Sequence, residues 1–301
     1  MDFLISNQHI NPVFLIGIGF LVGVMGGFFG VGGSFLAGPG LFALGLPMNM
    51  VVGTDLAHLV GKSIVATKKH RVLGNVDMKL GLFMATGTLA GVEIGAQAIE
   101  YLKRTAQVNQ VVGVFFILVL LSISGFMGWE SFKTIRSSKG KRKSAKSDRS
   151  ALAHIGKAVQ RIKLRPIIDL PVSGIRISIW PIILVAFVGG IFSGFLGGGA
   201  GYIRMPSLVY ILGIPTHVAV GTDLFEIMIS ASYGTLSHAF KGNVDIMIAL
   251  VMHTGAAIGA QIGATLTQHF AGPRIRLAFV PLPLIGAGLI IYGLLTGTQF
   301  K

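Results

Sequence analysis

The sequence predicts an all-α polytopic membrane protein made of two homologous repeats, with eight to ten membrane segments. Only 12% of its 301 residues are charged, against about 25% in an ordinary soluble domain, and the mean hydropathy is +0.75. Several apolar runs approach or exceed the roughly 20 residues that cross a bilayer as a helix. They are 13–30, 78–99, 108–128, 178–198, 246–266 and 275–296.

The second half of the chain repeats the first. Residues 27–34 and 194–201 are both glycine-rich, and the motif Val-Gly-Thr-Asp-Leu follows at 52–56 and 220–224. Asn-Val-Asp then occurs at 75–77 and 243–245, with the same offset. Such self-similarity indicates an internal duplication. Glycines four apart in each half predict helix-packing faces; they are Gly91, Gly95, Gly259 and Gly263.

We divide the chain into a first transmembrane repeat (13–128), a basic cytoplasmic loop (129–177) and a second repeat (178–297). Residues 133–176 hold 13 of the 25 lysines and arginines and two acids. An excess of positive charge is typical of cytoplasmic loops, and we prefer this explanation to nucleic-acid binding. Residues 137–150 are predicted to be disordered.

Within this loop, an apolar stripe predicts a short helix in 151–168. This helix would lie on the inner leaflet or on the protein's own cytoplasmic face. We expect the whole loop to be dispensable for transport, because it lies outside the duplicated units.

The first half begins with a polar lead and a membrane helix. Residues 1–12 lack positive charge and are predicted to lie outside. We interpret 13–30 as a retained helix, since the first 60 residues contain no Lys or Arg and no small-residue cleavage site. Residues 33–46 are apolar but short, and Gly38-Pro39-Gly40 lies in their middle, which predicts a broken or re-entrant segment. Such backbone is tolerated at membrane depth only when protein or a cavity encloses it.

The remaining elements follow the same order in both halves. Helices are predicted at 51–67 and 218–239, and a second short broken segment at 202–214. If the short segments cross, each half has five crossings and the repeats are inverted, which we favour. If they are re-entrant, each half has four crossings and the repeats are parallel. Under inversion Lys103 and Arg104 lie outside, against the charge rule.

Ionisable side chains inside the predicted helices mark a functional site. Asp55, His58 and Lys62 fall on one stripe of a helix because their spacings are three and four. In the second half, Asp223 matches Asp55 and Glu226 replaces His58. We assign Asp55, His58, Asp223 and Glu226 to proton coupling or, for the repeated aspartates, to a structural role at the helix breaks.

Lys62 and Arg204 are the candidates for holding an anion. An unpaired cation in a membrane costs about 2.5–3.5 kcal/mol, so each needs a partner, which Asp55, Glu226 or a bound anion could supply. A guanidinium can bind a tetrahedral anion through two parallel hydrogen bonds. Alternatively, both cations snorkel to an interface. The candidate substrate-binding set also includes Gly32, Gly33, Ser34, Gly199, Gly201, Thr54 and Thr222.

Other kinds of site are disfavoured. The chain has no cysteine, which excludes disulfides and thiolate ligands. Gly61-Lys62-Ser63 lacks the upstream glycine and the strand of a phosphate-binding loop. We therefore predict no cofactor, no metal and no ATP-driven transport.

The pattern Gly-x-x-Gly-x-Gly, then Pro, Val-Gly-Thr-Asp-Leu and Gly-Asn-Val-Asp, present twice, resembles the sulfite exporter TauE/SafE family of permeases. The resemblance covers about residues 15–128 and 180–296. It implies transport of sulfur-containing anions such as sulfite, thiosulfate or organosulfonates, with export the commoner direction. The long central loop departs from compact members of that family.

We therefore expect a secondary transporter of a small sulfur-containing anion in the plasma membrane (the bacterial inner membrane), coupled to protons. Its expected partners are the anionic substrate and the lipid bilayer, with no nucleic acid. The alternatives are a passive anion channel and a membrane-embedded enzyme. The enzyme is the weaker of the two, because we find no nucleophile, base and oxyanion set.

Overall fold

A computed structural model describes residues 2–3, 5, 8–138, 153–161, 164–270 and 272–296. The helices are α1 (Pro12–Phe29), α2 (Ser34–Ala43), α3 (Met48–Val72), α4 (Met78–Arg104), α5 (Val108–Ser138), α6 (Ala153–Gln160), α7 (Ile179–Leu196), α8 (Gly201–Tyr210), α9 (Thr216–Phe240), α10 (Ile246–Thr267), α11 (Gly272–Phe279) and α12 (Pro281–Thr296). The strands are β1 (Asp2–Phe3), β2 (Gln8–His9), β3 (Ile167–Leu170) and β4 (Ile175–Ser178), and a 3-10 turn covers Gly198–Ala200. Strand β1 pairs with β2, and β3 pairs with β4, both antiparallel.

The six membrane spans predicted from the apolar runs are confirmed. Helical stretches long and apolar enough to cross a bilayer cover Pro12–Phe29, Met78–Arg104, Val108–Trp129, Ile179–Leu196, Ile246–Thr267 and Leu277–Leu295. α3 and α9 have 25 residues each, or about 37 Å of helix, and they carry the buried Asp55, Lys62, Asp223 and Glu226. The chain is a multi-pass α-helical membrane protein.

Glycine faces bring two pairs of helices into backbone contact, α1 with α10 and α4 with α7. A Cβ at Gly91, Gly95, Gly259 or Gly263 would overlap a carbonyl oxygen of the partner helix. Their predicted role as packing faces is confirmed. Along α1 the contacts advance in step with α10, so the two helices run parallel; Gly19, Gly23 and Gly27 face Met252, Ala256 and Ala260.

Two matching hydrogen bonds tie each of the central helices α3 and α9 to the connection that follows the other. The backbone N–H of Asp77 donates to Thr222 Oγ1 at 2.9 Å, and that of Asp245 donates to Thr54 Oγ1 at 2.9 Å. Gly53, near the start of α3, packs on Asn243, just beyond the end of α9. Because the start of one helix meets the end of the other, α3 and α9 run antiparallel.

Two glycine-rich interruptions separate α1 from α2 and α7 from α8. Gly30 and Gly197 have φ values of 75° and 78°, a conformation that glycine adopts without strain. Beyond the first interruption, α2 runs back along α1, since Gly33 packs on Val22 and Gly40 on Ile18. Helix α2 therefore returns toward the side where α1 begins. Helix α8 returns along α7 in the same way, since Arg204 packs on Gly189.

The sequence suggested that prolines interrupt the short helices, but they do not. Pro39 lies inside α2 and Pro206 inside α8, so the break expected at Gly38-Pro39-Gly40 lies upstream, at the glycines. Pro39 cannot donate to the carbonyl of Phe35, and that carbonyl packs against Gly286 of α12. A neighbouring helix thus accommodates the lost hydrogen bond.

Helix α6 and the β3–β4 hairpin attach the central loop to the helix bundle. The predicted helix in 151–168 is shorter than expected, since α6 ends at Gln160 and a β-hairpin follows. Pro166 disfavours helix for the residue before it, and the alternating Ile and Leu of β3 and β4 suit a half-buried strand. Residues 139–152, most of the segment predicted to be disordered, lie outside the described residues.

Contacts fix this segment on the bundle. Gln160 Nε2 donates to the Leu212 carbonyl at 2.8 Å, so α6 packs on the connection between α8 and α9. In the hairpin, Ser173 Oγ donates to Asp77 Oδ2 at 2.7 Å. These contacts favour the alternative that α6 lies on the protein's own face, and they argue against the expectation that all of 133–176 is dispensable.

Lys103 has a structural partner that accounts for its unexpected position. Its Nζ donates to the Lys241 carbonyl at 2.8 Å and to Asn243 Oδ1 at 2.9 Å. The ammonium therefore binds a backbone oxygen and a side-chain oxygen at the end of α9, where a positive charge also complements the helix dipole.

The matching threonine bonds should contribute similarly to stability. In Thr222→Val the buried Asp77 N–H loses its acceptor, and we expect a loss of about 1–3 kcal/mol, seen as a lower melting temperature in detergent. Thr54→Val should behave alike. Thr222→Ser is the matched control, because it keeps the hydroxyl; equal melting of the Ser and Val variants would contradict this role.

We expect the β3–β4 hairpin to lie in the cytoplasm. Val172 in its turn is 44% exposed, and the chain has no cysteine, so Val172→Cys provides a single thiol. An impermeant maleimide should label it in inside-out vesicles and not in intact cells. Gln107→Cys, in the exposed connection after α4, should show the opposite pattern. Labelling of Val172→Cys in intact cells would place the hairpin outside.

Candidate functional site

The two glycine-rich interruptions meet at the centre of the bundle. A Cβ at Gly32 would lie 3.1 Å from the Gly198 carbonyl oxygen, and one at Gly201 would overlap Val31. The N-termini of α2 and α8 therefore start beside each other. Helix N-termini present free N–H groups and a partial positive charge.

Arg204 of α8 forms a buried ion cluster with two carboxylates of α9. Its Nε donates to Asp223 Oδ1 at 2.8 Å, and its Nη1 contacts Glu226 Oε2. Ser230 Oγ donates to the same Glu226 oxygen at 3.4 Å. All three charged side chains are 0% exposed, so water does not screen the interaction.

The stem of Arg204 fits its helix neighbours because position 189 is a glycine. A Cβ at Gly189 of α7 would lie 2.4 Å from Arg204 Cγ. The Arg204 stem passes close to the α7 backbone at Gly189, and its guanidinium thereby reaches α9. Any larger residue at position 189 would prevent this approach.

The opposite side of the cluster is the polar stripe of α3. His58 Nδ1 lies 3.5 Å from Asp55 Oδ1 and 3.5 Å from Lys62 Nζ. All three side chains are at most 1% exposed. Among the described residues, no carboxylate lies within ion-pair distance of Lys62.

Several buried polar atoms of the cluster have no hydrogen-bond partner in the described part of the chain. These atoms include both donors and acceptors, which is unusual in a protein interior. They are Asp55 Oδ2, His58 Nε2, Tyr202 Oη, Arg204 Nη2, Asp223 Oδ2 and Glu226 Oε1. The arrangement can bind a small polar ligand through several groups at once.

The structure brings most of the predicted residues together. Arg204, Asp223 and Glu226 form one charged group, Asp55, His58 and Lys62 form another, and Tyr202 lies within electrostatic range of Asp55 and Arg204. Snorkelling does not describe Lys62 and Arg204, since both are buried. Arg204 pairs with two carboxylates, and one of them, Glu226, is among the partners predicted for it.

The other predicted residues lie at the edge of the cluster or serve the fold. Gly33 packs on α1 and Gly199 on Ile227. Thr54 and Thr222 accept the bonds between α3 and α9 described above, so a further role in binding substrate stays a prediction. The side chain of Ser34 lies outside the described residues.

Tyr202 and Gly189 are site residues that the sequence did not indicate. The Tyr202 hydroxyl is fully buried and lies within electrostatic range of Asp55 and Arg204. A tyrosine one residue after a glycine break in apolar sequence was a usable signal, because a buried phenol needs a polar neighbour. Gly189 carried no comparable signal among the many glycines of these helices.

The sequence matches the family model described as "Sulfite exporter TauE/SafE" over residues 15–290. The chain belongs to the sulfite exporter TauE/SafE family. Several curated relatives of this TauE/SafE protein are similar along nearly their whole length. "Probable membrane transporter protein YunE" of Bacillus subtilis (strain 168) is 27% identical over 293 residues, covering 94% of this chain and 98% of the relative.

Two further relatives carry similar names. "Probable membrane transporter protein YdhB" of Bacillus subtilis (strain 168) is 23% identical over 275 residues, covering 91% and 97%. "Probable membrane transporter protein MJ0441" of Methanocaldococcus jannaschii is 23% identical over 278 residues, covering 87% and 89%. No solved structure matches the chain. The TauE/SafE protein is a membrane transporter and not an enzyme.

The packing of Gly189 predicts a selective effect on the cluster. Gly189→Ala places a methyl group against the Arg204 stem, and overpacking of this kind costs about 1–3 kcal/mol. We expect a lower melting temperature of the detergent-solubilised protein. Gly17→Ala in α1 is the matched control, since nothing lies within 4 Å of a Cβ there. Equal melting of both variants would contradict the packing role.

Proposed function

We propose that this TauE/SafE transporter carries a small sulfur-containing anion, such as sulfite, thiosulfate or an organosulfonate, through the buried charge cluster. The observation that carries the proposal is the Arg204 guanidinium, fully buried in the first turn of α8, whose Nη2 has no hydrogen-bond partner among the described residues. A guanidinium next to helix N-termini is suited to a tetrahedral oxyanion. The family name supports the sulfur chemistry.

Proton coupling is the second part of the proposal. Two carboxylates compete with an anion for Arg204, and a carboxylate can give up that competition by taking a proton. The remaining acid, Asp55, and the neighbouring His58 lie on the facing helix. No ATP-binding motif occurs in the sequence, so a gradient is the available source of energy.

We further propose that the two halves are inverted repeats. In parallel repeats α3 and α9 would run in the same direction, whereas they pack antiparallel. Inversion puts the α3–α4 connection and the central loop on the same side, in agreement with the bond between Ser173 and Asp77. Substrate sites at the interface of inverted repeats are common among secondary transporters.

Burial of the cluster supports a carrier over a passive channel. The six ionisable side chains are at most 1% exposed, as expected when a site is closed toward both sides. The lipid bilayer and the small anion are the proposed partners. The proposed location is the plasma membrane, the inner membrane in a bacterium, with the basic loop in the cytoplasm and export as the favoured direction.

Arg204 variants test the substrate site. We expect Arg204→Lys to weaken apparent affinity about tenfold and Arg204→Gln about 100-fold, because charge-assisted hydrogen bonds are worth about 1.5–3 kcal/mol. The measurement is counterflow in proteoliposomes with sulfite, thiosulfate, taurine and sulfoacetate. Arg176→Gln, on the 73%-exposed Arg176 of the hairpin, is the matched control.

An unchanged affinity in Arg204→Gln, with normal membrane expression, would remove Arg204 from the substrate site. Transport by the wild-type protein of none of these four anions would overturn the proposed substrate class.

A further inference from the structure

We propose that Glu226 is the proton-binding group of this site, and that each substrate anion crosses the membrane together with one proton in the same direction. This inference rests on the proposed function, and it adds which carboxylate titrates and how proton and anion movements are related. The alternative relation, exchange of an anion for a proton, makes the opposite prediction.

The geometry of Arg204 separates the roles of its two carboxylates. An oxyanion is bound most strongly when two of its oxygens accept from two N–H groups on one edge of the guanidinium. Glu226 contacts Nη1, which belongs to the outer edge together with the unpartnered Nη2. An anion that binds this edge therefore takes the position of Glu226, whereas Asp223 can remain on Nε.

Asp223 is also the more confined of the two carboxylates. Its Oδ2 lies 2.8 Å from the Cβ position of Gly201, the first residue of α8. Glu226 has one more methylene group, and the hydroxyls of Ser230, at 3.4 Å, and of Thr88 lie beside its carboxylate, so the group keeps polar neighbours when it leaves Arg204. We therefore assign Asp223 as a positioning residue and Glu226 as the group that leaves the guanidinium.

The charges of the cluster determine when Glu226 takes up a proton. The charged and titratable groups that face the site are Asp55, His58 and Lys62 of α3, Tyr202 and Arg204 of α8, and Asp223 and Glu226 of α9. His253 of α10 packs on Gly61 beside Lys62. With histidines and tyrosine neutral, these groups hold two positive and three negative charges.

Adding a monovalent anion to this buried site would raise its negative charge from one to two. Burying such an uncompensated charge is strongly unfavourable. If the Glu226 carboxylate takes one proton, its ion pair with Nη1 breaks, the anion accepts from Nη1 and Nη2, and the net charge is unchanged. Release of the anion reverses each step, and the proton leaves on the same side.

The second half alone supplies this exchange. At the positions that correspond to Glu226 and Arg204, the first half has His58 and Ala37. One anion is therefore expected to move with one proton. For a monovalent anion the cycle is electroneutral, so an outside-acid pH gradient drives uptake, and export requires a higher anion concentration inside. A divalent anion leaving the cell with one proton carries one net negative charge outward, which an inside-negative potential favours.

The test uses the purified full-length protein in proteoliposomes, with sulfite, thiosulfate, taurine and sulfoacetate as separate substrates. With the outside more acidic, the wild-type protein should accumulate its anion several-fold above equilibrium, and a trapped pH dye should report acidification inside. In Glu226→Gln the accumulation ratio should fall to the value without a pH gradient, and counterflow in the same proteoliposomes reports whether the variant still carries the anion. Glu93→Gln, which removes a carboxylate bonded to Lys241 outside the cluster, should accumulate like the wild type.

Two results would overturn the inference and leave the proposed function intact. One is wild-type anion transport that moves no protons or moves them in the opposite direction, a measurement that does not depend on the folding of any variant. The other is proton-driven accumulation by Glu226→Gln at the wild-type level. Failure of the wild-type protein to transport any of the four sulfur compounds would instead overturn the proposed function itself, and the inference with it.

Discussion

Irregular backbone at membrane depth has to be enclosed by protein, because lipid offers no hydrogen bonds to it. This constraint applies at residues 30–33 and 197–200, where the interruptions touch each other. The chain can enclose both only by bringing its two halves together. Glycine faces on α1, α4, α7 and α10 make that approach close enough, since each removes a Cβ from the contact. The same interruptions start α2 and α8, and so they place two helix N-termini beside the charge cluster.

The cluster lies where these constraints converge, and it makes the two halves chemically different. The repeated aspartates, Asp55 and Asp223, occupy corresponding places, but only Asp223 faces an arginine. Lys62 faces a histidine at 3.5 Å and no carboxylate within ion-pair distance in the described part of the chain. A buried ion pair contributes little net stability, because desolvation offsets its attraction. Its value here is placement, since Arg204 ties the short helix α8 to the long helix α9.

Hydropathy was sufficient to predict the six long spans, because a bilayer requires long apolar helices whatever their packing. The ionisable residues of the site were also predictable, since charges in such helices are rare. Their pairing was not: whether Arg204 meets Asp55 or Glu226 depends on which helix α8 packs against. Pro39 misled for a similar reason, because Gly286 accommodates the freed carbonyl of Phe35 from a distant part of the chain. The β3–β4 hairpin follows from a local alternation of apolar and polar residues. The hairpin was not predicted, because the strong positive charge dominates the sequence of the loop.

The parallel packing of α1 on α10 has a consequence for biosynthesis. Gly19 contacts Met252, so α1 enters the membrane long before its partner helix has been translated. During that interval its small-residue face meets lipid or a membrane-inserted chaperone. Contacts between such distant segments form slowly. The contact between α1 and α10 therefore forms late in biosynthesis. Two co-expressed half-length chains are the simplest system in which this docking step can be timed.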